Sequence, residues 1–373
     1  MYNALLSRQF AKKRFNQTDE SGAGVRTPGH PASPSSRSHV LPISSLRFVL
    51  ALVVAISHSA LPSIAASSHQ PLLRLAGVIL RNAFAGMPAV IVFFVISGFC
   101  IHYPNRRKLE IGSWKVYYAR RYLRILIPMA VAIALAGPLH LFKSLPDSVL
   151  WSLFCEEIYY LVYPGLILLR NRIGWRGLMT IAWVVTYVHV ATRHYLPDLG
   201  MWVGTVLTAI WALPTWLLGC KLAEESDSLS KRPIASWQIW AWRTGAWLCG
   251  SGAMILTFHS HVGYSWTLPL LGLYSTYWLQ HEIRYYRQES RRPMFEKLGE
   301  SSYSIYLTHV HGFALAYAMP FAASLSAGVF WLSRMAVSAA FATAFYFLIE
   351  KPSHQFARRY SKRVRSRQAV PAA

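Results

Sequence analysis

The sequence is short of charge, and above all of acidic side chains. Of its 373 residues only 15 are Asp or Glu, against 38 Lys or Arg, and charged residues make up 14% of the chain. The four cysteines are scattered through apolar segments without metal-ligand spacing, which disfavours a disulfide framework and a zinc site. The chain also lacks an internal repeat, a heptad pattern and a glycine-rich phosphate loop. These absences exclude a solenoid, a coiled coil and a P-loop nucleotide site.

Apolar residues fill the space that charge leaves. They make up 54% of the chain and come in blocks of about twenty, the length that crosses the hydrocarbon core of a bilayer. The sequence therefore predicts an all-α polytopic membrane protein with about ten transmembrane helices. The predicted spans are residues 41–66, 83–102, 121–142, 149–169, 177–196, 200–221, 238–258, 262–282, 301–321 and 326–350.

The basic residues are distributed unevenly over the loops. With a cytoplasmic N-terminus, the inward segments hold most basic residues, and the outward loops hold only Arg74, Arg81, Lys143 and Arg193. This positive-inside pattern predicts that both termini are cytoplasmic and that the protein is multi-pass. The membrane is expected to be the bacterial cytoplasmic (inner) membrane. The net charge of +23 is interpreted as a topology signal and a contact with membrane lipids. No nucleic-acid partner is expected.

Two terminal segments flank the predicted transmembrane domain of residues 41–352. Residues 1–40 are rich in Ser, Pro, Gly, His and Arg and predict a disordered basic cytoplasmic tail. Residues 353–373 are predicted as a second basic cytoplasmic tail, because Pro352 is expected to stop the last membrane helix.

Ionisable side chains interrupt the first apolar run. Arg47 and His58 are eleven residues apart, roughly 16 Å along a helix axis, and such groups in a membrane helix mark a functional site by default. From the orientation of their helices, His58 and Glu156 are expected at matched depths of roughly 12 and 10 Å. We therefore predict that Glu156 orients His58, as the carboxylate does in a Ser-His-Asp triad. The alternative is a histidine that bonds a backbone carbonyl and serves packing alone.

Three arginines open the third predicted span. Arg121 and Arg124 share a helix face, with Arg120 beside them. Guanidinium groups held in this way suit phosphates, but arginines at an inner helix end also set topology and bind headgroups. The residues alone leave both interpretations open.

Two late segments carry further polar residues. Ser302, Tyr303 and Ser304 are expected to cap the ninth span, and His309, deeper in that span, is either a second site residue or a core histidine. Glu350 closes the tenth span, where a carboxylate opposes the helix dipole. It is therefore expected to have a cationic partner, an arginine of the basic loops.

In order and spacing, these segments resemble the membrane-bound acyltransferase 3 family over about residues 41 to 360. The segments that carry the resemblance are Leu46-Arg47 with ten residues before His58, Phe93-Phe94-Val95-Ile96-Ser97-Gly98-Phe99, Arg121-Tyr-Leu-Arg124, Trp151-Ser-Leu-Phe-Cys-Glu156, Ser302-Tyr-Ser-Ile-Tyr-Leu-Thr-His309 and Glu350-Lys-Pro. In this family the first-span histidine is catalytic and the Arg-x-x-Arg pair is implicated in the use of acyl-coenzyme A.

The resemblance implies a role for each matching residue. His58 and Glu156 would be catalytic, and acyl-CoA would be the donor substrate, with no metal. The acyl-CoA site would be formed by Arg120, Arg121 and Arg124. The supporting residues would be Arg47, Ser97, Tyr303, His309 and Glu350.

The expected activity is that of a stand-alone O-acyltransferase without an external esterase-like domain. It would move an acyl group, by default acetyl, from cytoplasmic acyl-CoA to a hydroxyl of an extracytoplasmic glycan or lipid-linked sugar, as in lipopolysaccharide or exopolysaccharide modification. His58 would act as general base, or alternatively as a transient acyl carrier. A different class, a transporter or flippase of a lipid-linked or secreted sugar, is the alternative function. The oligomeric state is left open.

The sequence also departs from the family pattern. Ser44 stands where many members have Asp, and Phe154 where a small Ser is common. The stretch between Arg124 and Trp151 is much shorter than the family pattern leads one to expect. Because that stretch lies on the outer side, the identity of the acceptor is left open.

Overall fold

All the regular secondary structure of the described residues is helical. The computed structural model describes residues 43–59, 61, 70–107, 113–139, 141, 148–192, 205–260, 262–287, 293–320 and 322–369, so the predicted tail of residues 1–40 lies outside it. The helices are α1 Ile43–His58, α2 Pro71–Ala83, α3 Gly86–His102, α4 Trp114–Ala136, α5 Trp151–Thr192, α6 Thr205–Glu225, α7 Ser236–His259, α8 Tyr264–Arg287, α9 Ser302–Tyr317, α10 Ala327–Phe345 and α11 Lys351–Ala369. The predicted all-α class is confirmed.

Several of these helices have the length and composition of membrane spans. Within the described ranges four stretches meet both conditions: Gly86–Asn105, Trp151–Thr192, Thr205–Ser228 and Ala327–Val364. The chain is thus a membrane protein, whereas the count of ten spans and the cytoplasmic termini stay predictions.

The first helix is shorter than its predicted span. It ends at His58 instead of continuing to residue 66, so the depth argument that placed His58 well inside a helix is wrong. The hydroxyls of Ser57 and Ser59 donate to the carbonyls of Val54 and Ile56, each at 2.7 Å. Serine side chains that bond the backbone in this way compete with helix continuation. His58 therefore lies at the end of a helix.

The fourth and fifth predicted spans form one element. Helix α5 runs through both, and its only interruption in that range is Gly174, whose φ of 71° and ψ of 174° are not helical. Glycine adopts a positive φ without the steric penalty of a Cβ atom. A single residue, and not a loop, therefore separates the two arms of α5.

Helices α3 and α6 pack most closely, at the centre of the structure. Nearly all of α3 is buried. A Cβ atom added to Gly98 would overlap the carbonyl oxygen of Trp216, and one added to Gly219 would overlap that of Val95. Small residues permit such backbone contact in membrane helix pairs. This packing fixes the position of Ser97, one residue before Gly98.

The last membrane helix does not stop at Pro352. A π-helical turn, Tyr346–Glu350, joins α10 to α11, and the N–H of Lys351 donates to the carbonyl of Tyr346. Pro352 follows directly on this π-helical turn, a local change of helix geometry of the kind that accommodates a proline ring and its missing N–H. The expectation that it ends the helix is wrong, and the segment predicted as a tail is helical to residue 369. Helix α11 packs against α4, and the Ser353 hydroxyl donates to the carbonyl of Leu123 at 3.0 Å.

Candidate active site

A cavity of about 620 Å³ lies among α1, α3, α4, α5, α9 and the junction of α10 with α11. Its volume is in the range of ligand sites, a few hundred to about a thousand Å³. Most of the side chains singled out in the sequence line it. They are Arg47, Ser97, Arg120, Arg121, Arg124, Glu156, Tyr303 and Glu350.

The cavity is elongated along the helices. On α3 its lining runs from Val90 to Ile101, about 17 Å of helix at 1.5 Å per residue. Asn105 and Ser113 line one end, close to the start of α4, and Tyr306 lines the other end. The cavity is therefore long enough for an extended ligand.

The arginines occupy the end near the start of α4. The guanidinium of Arg121 lies over the ring of Tyr160, 4.0 Å from its centroid. Its Nε is buried and has no hydrogen-bond partner among the described residues. The Nε of Arg124 donates to Nε2 of His354 at 3.0 Å. A buried donor without a partner is costly, so an anionic or hydrogen-bond-accepting ligand would complete this part of the cavity.

Glu156 ends a directional chain of hydrogen bonds. It accepts from the hydroxyl of Tyr160 at 2.9 Å. Tyr160 therefore accepts from Ser97 at 2.8 Å, and Ser97 accepts from the indole N–H of Trp216 at 3.2 Å. The predicted pair of Glu156 with His58 is wrong. These hydrogen bonds hold the carboxylate of Glu156 inside the cavity, whereas His58, at the end of α1, contacts a different side chain.

That side chain is His309. Nδ1 of His58 lies 3.1 Å from Nε2 of His309, and the two rings stack with centroids 5.1 Å apart. His309 is fully buried, whereas His58 is exposed. The structure thus places His309, which the sequence left open between site and core, in contact with His58.

The hydrogen bonds of the pair assign its protons. Nδ1 of His309 lies 2.8 Å from the carbonyl of Tyr306 and 3.2 Å from that of Ile305. Since carbonyls only accept, this nitrogen carries the proton in a neutral ring and Nε2 of His309 is an acceptor. His58 then donates from Nδ1, and its Nε2 holds a free lone pair. The network therefore assigns Nε2 of His58 as the basic atom.

Tyr306 connects the cavity to the histidine pair. Its hydroxyl bonds that of Ser152 at 2.5 Å, its ring packs against Phe93 at 5.7 Å between centroids, and its carbonyl holds His309. The sequence had assigned no site role to Tyr306 or Ser152. Both residues lie inside segments that match the family, Ser152 in the segment that ends at Glu156 and Tyr306 in the one that ends at His309. This position was the signal that could have identified them as site residues.

Glu350 interacts electrostatically with Arg47 and Arg124, as expected, but its direct hydrogen bonds are with another element. It accepts from the backbone N–H of Ser304 at 3.0 Å and from the Ser304 hydroxyl, and it lies 3.6 Å from His354. Its hydrogen-bonding partner is therefore the start of α9, whose N–H groups and dipole favour an anion. The expected side-chain caps are also wrong: α9 has no side-chain cap bond, and the Tyr303 hydroxyl donates to the carbonyl of Ile125 at 3.0 Å.

No group of three or more His, Cys, Asp or Glu side chains that could hold a metal ion occurs in the described part of the chain. The sequence expected none, from its cysteine spacing and the family resemblance.

Comparison with known proteins identifies the class. The model of the acyltransferase 3 family, described as an acyltransferase domain, matches residues 43–350. The chain belongs to this family and is a membrane acyltransferase, which favours an enzyme over the transporter alternative. A similar protein is the acyltransferase MdmB of Streptomyces mycarofaciens, 24% identical over an alignment 364 positions long, which covers 83% of this chain and 90% of the relative. No solved structure matches.

Proposed function

We propose that the protein transfers an acyl group, acetyl in the simplest case, from cytoplasmic acyl-CoA to a hydroxyl of an extracytoplasmic glycan or lipid-linked sugar. Its setting would be the bacterial inner membrane. One observation carries the proposal: an elongated cavity has arginines at one end and, at the other, Tyr306, whose carbonyl holds the His58–His309 pair.

The arginines are the proposed site of the donor's phosphates. Arg120, Arg121 and Arg124 line the cavity within about one helical turn of α4, and guanidinium groups bind phosphate oxygens bidentately without deprotonating. The unpartnered Nε of Arg121 is a donor that such an oxygen satisfies. The amide N–H groups of a pantetheine arm need hydrogen-bond acceptors. Glu156, farther along the cavity, is a carboxylate that can accept from them.

His58 is the proposed general base. Its Nε2 takes the proton from the acceptor hydroxyl as the oxygen attacks the thioester carbon. When the tetrahedral intermediate collapses, the carbon–sulfur bond breaks and the imidazolium returns its proton to the thiolate, which leaves as the free thiol of CoA. His309 stabilises the imidazolium by accepting a hydrogen bond from Nδ1 of His58. This is the role that the sequence analysis gave to Glu156. A general base of this kind contributes about 10²- to 10⁴-fold to the rate.

The surface glycans of the cell give the test. Glycans from the wild type, a deletion strain and the deletion strain complemented with His58→Gln are compared by mass spectrometry. We expect a loss of one acyl unit in the deletion strain, restored by the wild-type protein and not by the variant. The variant's level in the membrane fraction is the control.

Two results would count against this proposal. Identical glycan masses in the wild type and the deletion strain contradict a glycan acceptor, and full complementation by His58→Gln contradicts the role of the histidine. An acyl-histidine trapped on the wild-type protein would replace direct transfer with a covalent route and ping-pong kinetics.

A further inference from the structure

His354 is a half-buried side chain of the cavity that the proposed chemistry does not use. It lies in the first turn of α11 and lines the cavity. Its Nε2 accepts from the Nε–H of Arg124 at 3.0 Å and lies 3.6 Å from a carboxylate oxygen of Glu350. The preceding residue, Ser353, bonds the carbonyls of Leu123 and Arg124, at 3.0 and 3.4 Å. Two adjacent residues of α11 therefore hold Arg124.

The bond to Arg124 fixes the state of the imidazole. Because a guanidinium has no acceptor, Nε2 of His354 must carry the lone pair, and the neutral ring carries its proton on Nδ1. The same bond selects an edge of the guanidinium. With Nε engaged, the edge left for a bidentate anion is the one formed by the two terminal nitrogens of Arg124.

We infer that His354 is a positioning residue for the donor: it turns the terminal edge of Arg124 toward a phosphate group in the cavity. The inference rests on the proposed function, because it takes the ligand of Arg124 to be the phosphates of acyl-CoA. It also gives α11 a role, since the helix that continues past Pro352 is the one that brings His354 to Arg124.

Two amide substitutions separate positioning from packing. The oxygen of a glutamine at position 354 reaches about as far as Nε2 of histidine, whereas the oxygen of an asparagine reaches only about as far as Nδ1. His354→Gln can therefore accept from Arg124 and His354→Asn cannot. Gln355→Ala, an exposed neighbour on the same helix, is the control variant.

The measurement is the KM and kcat of acyl transfer by purified protein in vesicles, with acetyl-CoA and with S-acetyl-pantetheine, which lacks phosphates. With acetyl-CoA we expect His354→Asn to raise KM about ten-fold, as the loss of one charge-assisted hydrogen bond implies. Its kcat should stay within about two-fold, since the chemistry at His58 is untouched. His354→Gln and Gln355→Ala should keep the wild-type KM, and with S-acetyl-pantetheine all four proteins should have equal KM.

Other results overturn the inference. A wild-type KM in His354→Asn, or an equal rise of KM with both donors, would show that His354 does not orient a phosphate ligand. An equal rise of the KM for acetyl-CoA in His354→Gln and His354→Asn would show that His354 contributes only packing. Failure of the proposed function is distinct, because the wild-type protein itself would then show no transfer from acetyl-CoA.

Discussion

The proton assignment of the histidine pair can be tested by changing His309 alone. His309→Leu removes the acceptor of the His58 Nδ1–H and places an apolar side chain at a fully buried position. His309→Gln retains an oxygen near the position of Nε2, so it can still accept from His58. The two variants therefore differ mainly in the one hydrogen bond that makes Nε2 of His58 basic.

The expected magnitude follows from that bond. A buried donor left without an acceptor costs about 1–3 kcal/mol, and the ring of His58 can escape the cost by moving its proton to Nε2, where it can no longer act as a base. At 1.36 kcal/mol per factor of ten, kcat of His309→Leu should fall about ten- to hundred-fold. His309→Gln should lose only a few-fold. His58→Gln, which removes the base itself, should lose about 10²- to 10⁴-fold.

The assay is transfer from radiolabelled acetyl-CoA to membrane glycans, with each rate divided by the amount of protein in the membrane. Melting temperatures in detergent show whether each variant is folded. A folded His309→Leu with the wild-type kcat would refute the assignment. So would a folded His309→Gln that loses as much activity as His309→Leu, because packing and not the proton network would then explain the loss.

Two further substitutions test the architecture of the site. Glu350→Gln should lower the free energy of unfolding by about 1 kcal/mol, because its bonds to Ser304 lose their charge; thermal unfolding in detergent measures this, and an unchanged midpoint would contradict it. Gly98→Ala should destabilise by about 1–3 kcal/mol, because the added methyl meets the carbonyl of Trp216. Gly252→Ala, whose added Cβ meets nothing within 4 Å, should be neutral or slightly stabilising, and equal effects of the two alanines would contradict close α3–α6 contact.

The sequence predicts this fold well where periodicity and length decide it, and poorly at single residues. Apolar blocks located the cores of α3, α6 and α10, because helices of that composition have few other structures available in a membrane. The ends failed for local reasons. Hydroxyls bonded to the backbone end α1 early, a positive φ at Gly174 replaces a loop, and a π-helical turn carries the chain past Pro352.

Which residues line the cavity was largely predictable, but the pairing of their side chains was not. The cost of burying ionisable groups and the spacing of the motifs selected residues most of which line one cavity, since ionisable groups in apolar helices need a common polar environment. His58 and His309 are not among the lining residues. Partners depend on the relative rotation and depth of helices distant in sequence. An error of eight residues in the end of α1 was enough to pair His58 with Glu156 in place of His309. The contact of Glu350 with the start of α9 needed tertiary structure in the same way.

The separation of the arginines from His58 has a kinetic consequence if the cavity holds the donor. The donor's anionic groups would lie at the cationic end, while His58 is exposed at the end of α1 and contacts His309, whose Nδ1 is held by the carbonyl of Tyr306 in the cavity wall. Donor and acceptor would then approach the base from different sides. Neither the donor nor the acceptor would have to leave before the other binds. Both could therefore be bound at once, and the acyl group could pass directly from donor to acceptor. An acyl-histidine route would place the acyl group on the same nitrogen that has to deprotonate the acceptor. The geometry therefore favours direct transfer.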